Sequence, residues 1–279
     1  MSWLAPLALL CFAANSILAR LALRTGQIDA ASFTAIRLAS GALALWLLMR
    51  GRGSTTFAPT PGRWVGALLL CLYAAPFSFA YLSLSAGTGA LILFGAVQLT
   101  MIGSGLQAGE RPHAREWIGL AAALAGLLYL NFPGLSAPAP LGAALMAIAG
   151  VAWGLYSLRG RKAVAPLVQT AESFLLATPV GLALAAVALP RAHVSSAGVL
   201  LAVASGALAS GGGYAAWYSV LPRLSATRAG TIQLAVPIVA ALAGVALLGE
   251  VLTLRLVGSA IAILGGVGLA ISARVTSRP

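Results

Sequence analysis

Residues 85–110 read SAGTGALILFGAVQLTMIGSGLQAGE, and residues 225–250 read SATRAGTIQLAVPIVAALAGVALLGE. Both stretches open with Ser-Ala and close with Gly-Glu, and their first residues lie 140 positions apart. Between these ends each stretch holds an apolar run of about 20 residues, which is the length of a helix that spans a bilayer. A pattern of this length that occurs twice in one chain predicts two related structural units.

The apolar segments outside these stretches extend the repeat. Ala125-Gly126 falls opposite Gly265-Gly266 at the same offset, so the repeating unit is five spans long. We therefore divide the chain into residues 1–136 and residues 137–279. Because five is an odd number, the second unit enters the membrane in the opposite orientation, which predicts a pair of inverted repeats.

The composition indicates the medium in which the chain folds. Of the 279 residues, 60% are apolar and 8% are charged, and the mean hydropathy is +0.97, which excludes a water-soluble domain. Lipid leaves backbone polar groups unsatisfied, and the apolar runs are too long and uniform for barrel strands. The sequence predicts an all-α integral membrane protein with ten transmembrane helices, at about residues 4–23, 31–49, 64–84, 88–108, 117–132, 140–158, 169–189, 197–221, 228–248 and 255–273.

The basic residues indicate the orientation of the spans. Twelve of the 17 Lys and Arg residues fall in joints on one side, and five fall on the other side or in adjoining helix ends. This bias predicts a plasma (inner) membrane protein with both termini in the cytoplasm, and it places Glu110 and Glu250 on opposite sides. The formal net charge of +12 then indicates contact with anionic lipid headgroups and not with nucleic acid.

The motifs of the repeat resemble a known superfamily. They are Gly109-Glu110, Gly249-Glu250, Pro237, the Tyr-Ala-Ala-Trp-Tyr stretch that starts at Tyr214, and Gly265-Gly266. In order and spacing they are similar to the ten-helix branch of the drug/metabolite transporter superfamily, which has two EamA-type repeats. The Tyr-Ala-Ala-Trp segment is similar to the YddG-type aromatic amino-acid exporters. The first unit departs from the pattern, since Val97 stands where Pro237 stands in the second.

This resemblance implies a multi-pass transporter that exports small neutral or zwitterionic metabolites. Aromatic or bulky apolar amino acids are the expected substrates, moved by alternating access around a midplane cavity. Export of drugs or other metabolites is the alternative within the superfamily, and a membrane channel or an intramembrane enzyme are alternatives of another class. The sequence has no metal-ligand spacing, phosphate-binding loop or nucleophile elbow, so no enzymatic activity, metal or cofactor is predicted. A monomer or weak oligomer is expected.

Large polar side chains near the centres of spans are candidates for substrate binding, because lipid offers them no partner. They are Asn15, Gln98 and Gln233. The alternative is that each amide only joins two helices by a hydrogen bond.

Aromatic and hydroxyl side chains share one face in each of three spans, since residues three or four apart lie on the same side of a helix. With the amides they are predicted to line the cavity. Tyr81 and Trp217 lie toward span ends, so the aromatic belt at the membrane surface is their alternative assignment. The residues concerned are Phe77, Tyr81, Trp153, Tyr156, Ser157, Ser210, Tyr214 and Trp217.

Proline and glycine predict where the spans bend. Pro76 and Pro237 each remove a backbone hydrogen bond from a helix, and Gly211, Gly212 and Gly213 precede Tyr214 in the eighth span. We expect these five residues to act as hinges beside the cavity. Close packing of helices is the alternative explanation for the glycines.

The ionisable residues limit the charge of the substrate. No Asp, Glu, Lys or His is predicted near the membrane centre, which favours a neutral or zwitterionic solute and argues against proton coupling through a carboxylate. Arg20 and Arg37 are placed toward the external ends of the first two spans. They are interpreted as side chains that reach back to the headgroups, with contact to a substrate carboxylate as the alternative.

Overall fold

The computed structural model describes residues 3–51, 62–109, 113–131 and 139–249, and residues 254, 257–259, 261, 262, 265, 266 and 269. In this part of the chain the structure is helical, and the β contact it contains is an isolated bridge between Ile28 and Val194. The predicted all-α membrane fold is confirmed.

The helices of the described residues have the lengths that membrane spans need. A π-helical segment, Ala204–Gly212, joins α8 to α9. Eight helical runs are long and apolar enough to cross a membrane, and Ser196–Arg223 is one of them. In chain order the helices are α1 (Leu4–Arg24), α2 (Ala30–Gly51), α3 (Arg63–Ala80), α4 (Ala86–Gln107), α5 (Ala114–Asn131), α6 (Pro140–Arg161), α7 (Pro166–Ala188), α8 (Ser196–Val203), α9 (Gly213–Val220), α10 (Ala226–Gln233) and α11 (Ala235–Leu248).

Two of the ten predicted spans are not among these eight runs. The fifth coincides with α5, an 18-residue helix that carries Glu116 in its first turn. The tenth, at residues 255–273, lies largely outside the described residues. Glu110 and Glu250 lie outside them as well, so their placement on opposite sides and the total of ten spans remain predictions.

Local sequence signals set the helix boundaries. The hydroxyls of Ser85, Ser195 and Ser225 accept hydrogen bonds from the backbone N–H three residues later, at 3.0 to 3.2 Å, and so begin α4, α8 and α10. Gly109 and Gly249 follow the ends of α4 and α11 with φ of +81° and +66°, a conformation that glycine adopts without strain. The serines that open the two repeated stretches and the glycines near their ends, Gly109 and Gly249, therefore mark helix boundaries.

The helices of the first half pack against those of the second. Helix α1 contacts α9, α11 and the π-helical segment, while α2 contacts α7 and the same segment. Helix α3 packs on α6 and α7, and α4 packs on α6, α10 and α11. Both halves therefore contribute side chains to one buried centre.

Three predicted spans differ in detail from the structure. The eighth contains the π-helical segment, whose wider turns shift the side chains that follow. The ninth divides at Leu234 into α10 and α11, because the ring of Pro237 clashes with the carbonyl of Gln233 in a continuous helix. The third ends at Ala80 instead of residue 84, since the chain turns there before Ser85 begins α4.

Gly150 allows the backbones of α4 and α6 to touch, because a Cβ at this position would meet the carbonyl oxygen of Leu93 and lie 2.7 Å from the Cβ of Ala96. We expect Gly150→Ala to destabilise the protein by about 1–3 kcal/mol, since the helices must separate. Gly103 in α4 has open space at the same position, so Gly103→Ala is the matched control. Thermal unfolding in detergent measures both variants. Equal melting temperatures would contradict the close α4–α6 contact.

Candidate functional site

Aromatic side chains fill the centre where the two halves meet. The Trp153 ring lies 4.7 Å from that of Tyr214 and 5.3 Å from those of Phe12 and Tyr73, between ring centroids. More buried rings continue these contacts. We call the whole set the aromatic cluster, which consists of Phe12, Tyr73, Phe77, Phe94, Trp153, Tyr156, Phe174, Tyr214 and Trp217.

A guanidinium group lies at the edge of the aromatic cluster. Arg37 of α2 is 1% exposed. Its Nη2 donates a hydrogen bond to the Tyr73 hydroxyl at 2.8 Å, and its Nε donates one to the Ser210 hydroxyl at 3.2 Å. The charge also stacks on the rings of Phe77 and Tyr73, at 4.6 and 5.0 Å from their centroids. Cation–π contacts and neutral hydrogen bonds therefore replace the water that the charge has lost.

Asn15 connects this guanidinium to α1. Its amide nitrogen donates to the Ser210 hydroxyl at 3.1 Å, and its amide oxygen accepts from the Ser205 hydroxyl at 2.6 Å. Both serines belong to the π-helical segment, so that segment faces α1 and α2 with hydroxyl groups. We call Asn15, Arg37, Tyr73, Ser205 and Ser210 the polar network.

Two buried glutamines join the ninth span to its neighbours. The Trp153 indole N–H donates to the Gln233 amide oxygen at 2.9 Å, and the Gln233 nitrogen donates to the Ala229 carbonyl at 3.1 Å. Gln98 of α4 donates to the Thr231 hydroxyl at 3.3 Å. The bond from Trp153 thus fixes the edge of the aromatic cluster to α10, and the bond from Gln98 fixes α4 to the same helix, just before the break at Leu234.

The interpretation of Arg37 as a side chain that reaches the headgroups is wrong. Its partners Asn15, Tyr73 and Ser210 lie near the middle of α1, α3 and the run Ser196–Arg223, so the guanidinium lies near mid-depth. Hydrogen bonds and aromatic faces inside the protein stabilise the guanidinium in place of the lipid headgroups. Arg20 does stay at a helix end, where its Nη1 donates to the Tyr81 carbonyl at 2.9 Å and caps α3.

The structure brings most of the predicted site residues together. Asn15 and Ser210 belong to the polar network, Gln233 accepts from Trp153 of the aromatic cluster, and Gln98 joins α4 to α10 through Thr231. Tyr81 extends the cluster beyond Phe77, at 4.8 Å between centroids, and like Trp217 it is fully buried instead of facing the headgroups. Ser157 is buried on α6. Their assignment as substrate-binding residues remains a prediction.

Several residues of this centre were not predicted from the sequence. They include Phe12, Tyr73, Phe174 and Ser205, besides Arg37. Tyr73 could have been found, because it precedes Phe77 by four residues and so shares its face of α3. Phe12 could have been found in the same way, because Asn15 follows it by three residues in α1.

The predicted hinge residues lie beside the site. Pro76 lies between Tyr73 and Phe77 in α3, and Pro237 follows the break at Leu234. Gly213 packs tightly, since a Cβ there would lie 2.6 Å from the Cβ of Cys11, whereas Gly212 ends the π-helical segment with its nearest neighbour 4.0 Å away. The glycines thus combine close packing with an irregular helix, and their action as hinges remains a prediction.

Two loops bind each other at one end of the helices α1, α2 and α8. The Asp29 N–H donates to the His193 carbonyl at 2.9 Å, and the Ser195 N–H donates to the Gln27 carbonyl at 2.8 Å. The Ser195 hydroxyl also donates to the Gln27 side chain at 2.7 Å. We call residues 27–29 and 193–195 the clasp, which ties the α1–α2 connection to the loop before α8.

The Asp29 carboxylate strengthens the clasp. Partial burial would raise its pKa, but hydrogen bonds from Ser32, His193 and Ala31 outweigh burial and lower the pKa below its usual value. The side chain therefore stays ionised at neutral pH, where it caps α2 and holds the His193 backbone N–H at 3.3 Å.

The centre offers aromatic faces, amides, hydroxyls and one guanidinium. Within the described residues, no three His, Cys, Asp or Glu side chains lie together so as to hold a metal ion. These groups suit an organic solute with an apolar body and a polar end.

Comparison with known proteins identifies the family. A model described as the EamA-like transporter family matches residues 140–272. An uncharacterised protein of Pseudomonas aeruginosa is 50% identical over 278 residues, which cover 98% of this chain and 94% of that protein. The chain belongs to the EamA-like transporter family. It is a multi-pass membrane transporter of the drug/metabolite transporter superfamily, as its motifs predicted.

Further similarities agree with this family. An uncharacterised transporter of Archaeoglobus fulgidus is 29% identical to this EamA-like transporter over 194 residues, which are 65% of this chain and 67% of that protein. A crystal structure superposes with a TM-score of 0.77 at 22% identity and covers 95% of the transporter and 98% of its own chain. At 22% identity, the superposition on this crystal structure shows a shared fold.

Proposed function

We propose that this EamA-like transporter exports aromatic or bulky apolar amino acids, or related zwitterionic metabolites, by alternating access. The observation that carries the proposal is the aromatic cluster, which is buried between the two halves and bordered by the polar network. Aromatic rings suit the apolar body of such a solute, and the hydroxyl and amide groups suit its polar end. Tyr214 and Trp217, which carry the resemblance to YddG-type exporters, both belong to the cluster.

The closed packing of the site favours a carrier over a channel. A channel needs a continuous path, whereas here the rings of Trp153, Tyr214 and Phe12 lie against one another at 4.7 to 6.0 Å. A carrier must therefore open this centre to one side at a time. The inverted five-span repeats proposed from the sequence supply two halves that could exchange conformations.

The clasp is the proposed external gate. We place both termini in the cytoplasm and the transporter in the plasma membrane. In this orientation residues 25–29 and 189–195 face the outside of the cell. Export then requires the clasp to separate while the opposite end closes. The π-helical segment and the break at Leu234 lie next to the site and are the proposed places of bending.

The opposite end has the features expected of a cytoplasmic surface. Arg50 stacks on Trp46 at the end of α2, with its guanidinium carbon 4.2 Å from the ring centroid, and Arg63 lies 5.8 Å from the Trp64 ring at the start of α3. Tryptophan and arginine at span ends favour the headgroup region. This arrangement supports the proposed contact with anionic lipids and the proposed orientation of the transporter in the membrane.

Proteoliposomes loaded with unlabelled phenylalanine should accumulate labelled phenylalanine with no pH gradient or voltage. Trp217→Ala removes a ring of the cluster and Gln98→Leu removes the bond to Thr231, so each should lower the exchange rate about tenfold, the equivalent of about 1.4 kcal/mol. Trp64→Ala, an exposed tryptophan outside the site, is the control. Native exchange rates in both site variants would contradict the assignment of Trp217 and Gln98 to the binding site. Exchange of cationic drugs but of no amino acid would contradict the proposed substrate class.

A disulfide across the clasp tests the gate. Ile28 and Val194 pair in an antiparallel bridge, where the Cα separation suits a disulfide. In a chain with Cys11→Ala and Cys71→Ala, the double variant Ile28→Cys/Val194→Cys should lose phenylalanine exchange on oxidation and regain it with dithiothreitol. Each single cysteine variant is the control and should be unaffected. Full exchange by the cross-linked protein would contradict opening of the clasp.

A further inference from the structure

Arg37 carries a charge that the described residues do not balance. Its hydrogen bonds go to the neutral hydroxyls of Tyr73 and Ser210, and its ring contacts are with Tyr73 and Phe77. Nη1 is buried and makes no hydrogen bond within the described part of the chain. Nε and Nη2 of the guanidinium are thus bound by protein hydroxyls, whereas the N–H donors of Nη1 are available to a ligand.

The acidic residues that the structure describes do not supply a counter-ion for Arg37. The sequence has five Asp and Glu residues, of which Asp29, Glu116 and Glu172 are described. Asp29 is held by the clasp, Glu116 accepts from the His113 N–H, and Glu172 is not among the partners of Arg37. A buried charge without an ionic partner is costly, and ionisable groups inside membrane proteins characteristically mark solute pathways.

We propose that Arg37 binds the carboxylate of the transported solute, an assignment that rests on the proposed function and extends its substrate class. The planar guanidinium suits a carboxylate, and Nη1 has donors available for it. A monocarboxylate balances the single positive charge, whereas a dianionic phosphate would leave a negative charge unbalanced.

The recognised substrate is therefore a monocarboxylate with an aromatic or bulky apolar body. The aromatic cluster lies directly beside Arg37, so that the carboxylate and the apolar body of one small solute can be bound together. None of the three described acidic side chains belongs to the polar network, so none of them is placed to bind the α-ammonium group of an amino acid there. Amino acids fit as zwitterionic members of the class, and the charge balance improves further when the amino group is absent.

Analogues of phenylalanine test the assignment in the native transporter. Phenylalanine and 3-phenylpropionate both carry the carboxylate and should compete for phenylalanine counterflow. Phenethylamine and phenylalanine methyl ester lack it, and each should compete at least tenfold more weakly. Equal competition by the amine or the ester would overturn the role of Arg37.

Substitutions locate the effect at Arg37. Arg37→Met should abolish the rise in melting temperature that 3-phenylpropionate gives to the purified protein, and Arg37→Lys should reduce it at least tenfold in apparent affinity. Arg50→Met removes an exposed arginine from the same helix and should bind like the native protein. If Arg37→Met does not fold, Arg37→Lys and the native analogue series still decide. Native ligand stabilisation in a folded Arg37→Met protein would contradict the assignment.

The two proposals fail in different ways. A transporter that exchanges no amino acid, yet is stabilised by 3-phenylpropionate and not by 3-phenylpropionamide, would overturn the proposed function and support carboxylate binding by Arg37. A transporter that exchanges phenylalanine but is inhibited equally by phenethylamine would support the proposed function and overturn the arginine assignment.

Discussion

The Arg37 guanidinium lies where water does not reach, and a charge in such a place costs several kcal/mol unless other groups replace its hydration. Three helical runs meet to provide those groups. Helix α3 supplies the Tyr73 hydroxyl and the ring of Phe77, and the π-helical segment directs Ser210 toward α2. Ser210 in turn holds Asn15 of α1. The arrangement of the centre thus follows from the requirement to surround one positive charge.

The same constraint explains why the aromatic cluster and the polar network are adjacent. Aromatic faces stabilise a cation and exclude water from it, so the rings that would bind an apolar solute also hold the charge that would bind its carboxylate. In the closed packing these rings contact one another. Room for a solute must therefore come from movement of the helices, and the irregular segment before Tyr214 lies in contact with the site.

Local signals in the sequence predicted much of the fold. The serine caps and the glycines with positive φ define helix ends within a few residues, and the long apolar runs define the spans. Shared helix faces also led to Trp153, Tyr214 and Ser210. The depth of Arg37 could not be predicted in this way, because it depends on which face of α2 meets α3 and the π-helical segment. Contacts such as that between Trp153 and Gln233 join residues 80 positions apart and leave no local pattern.

An experimental structure of the transporter with bound phenylalanine is the most direct test of the central claim. We expect a carboxylate oxygen about 2.8 Å from Nη1 of Arg37, with the phenyl ring among the side chains of Trp153, Tyr214 and Phe12. A ligand whose carboxylate points away from Arg37, or an acidic side chain of the protein paired with Arg37 while the ligand is bound, would contradict it.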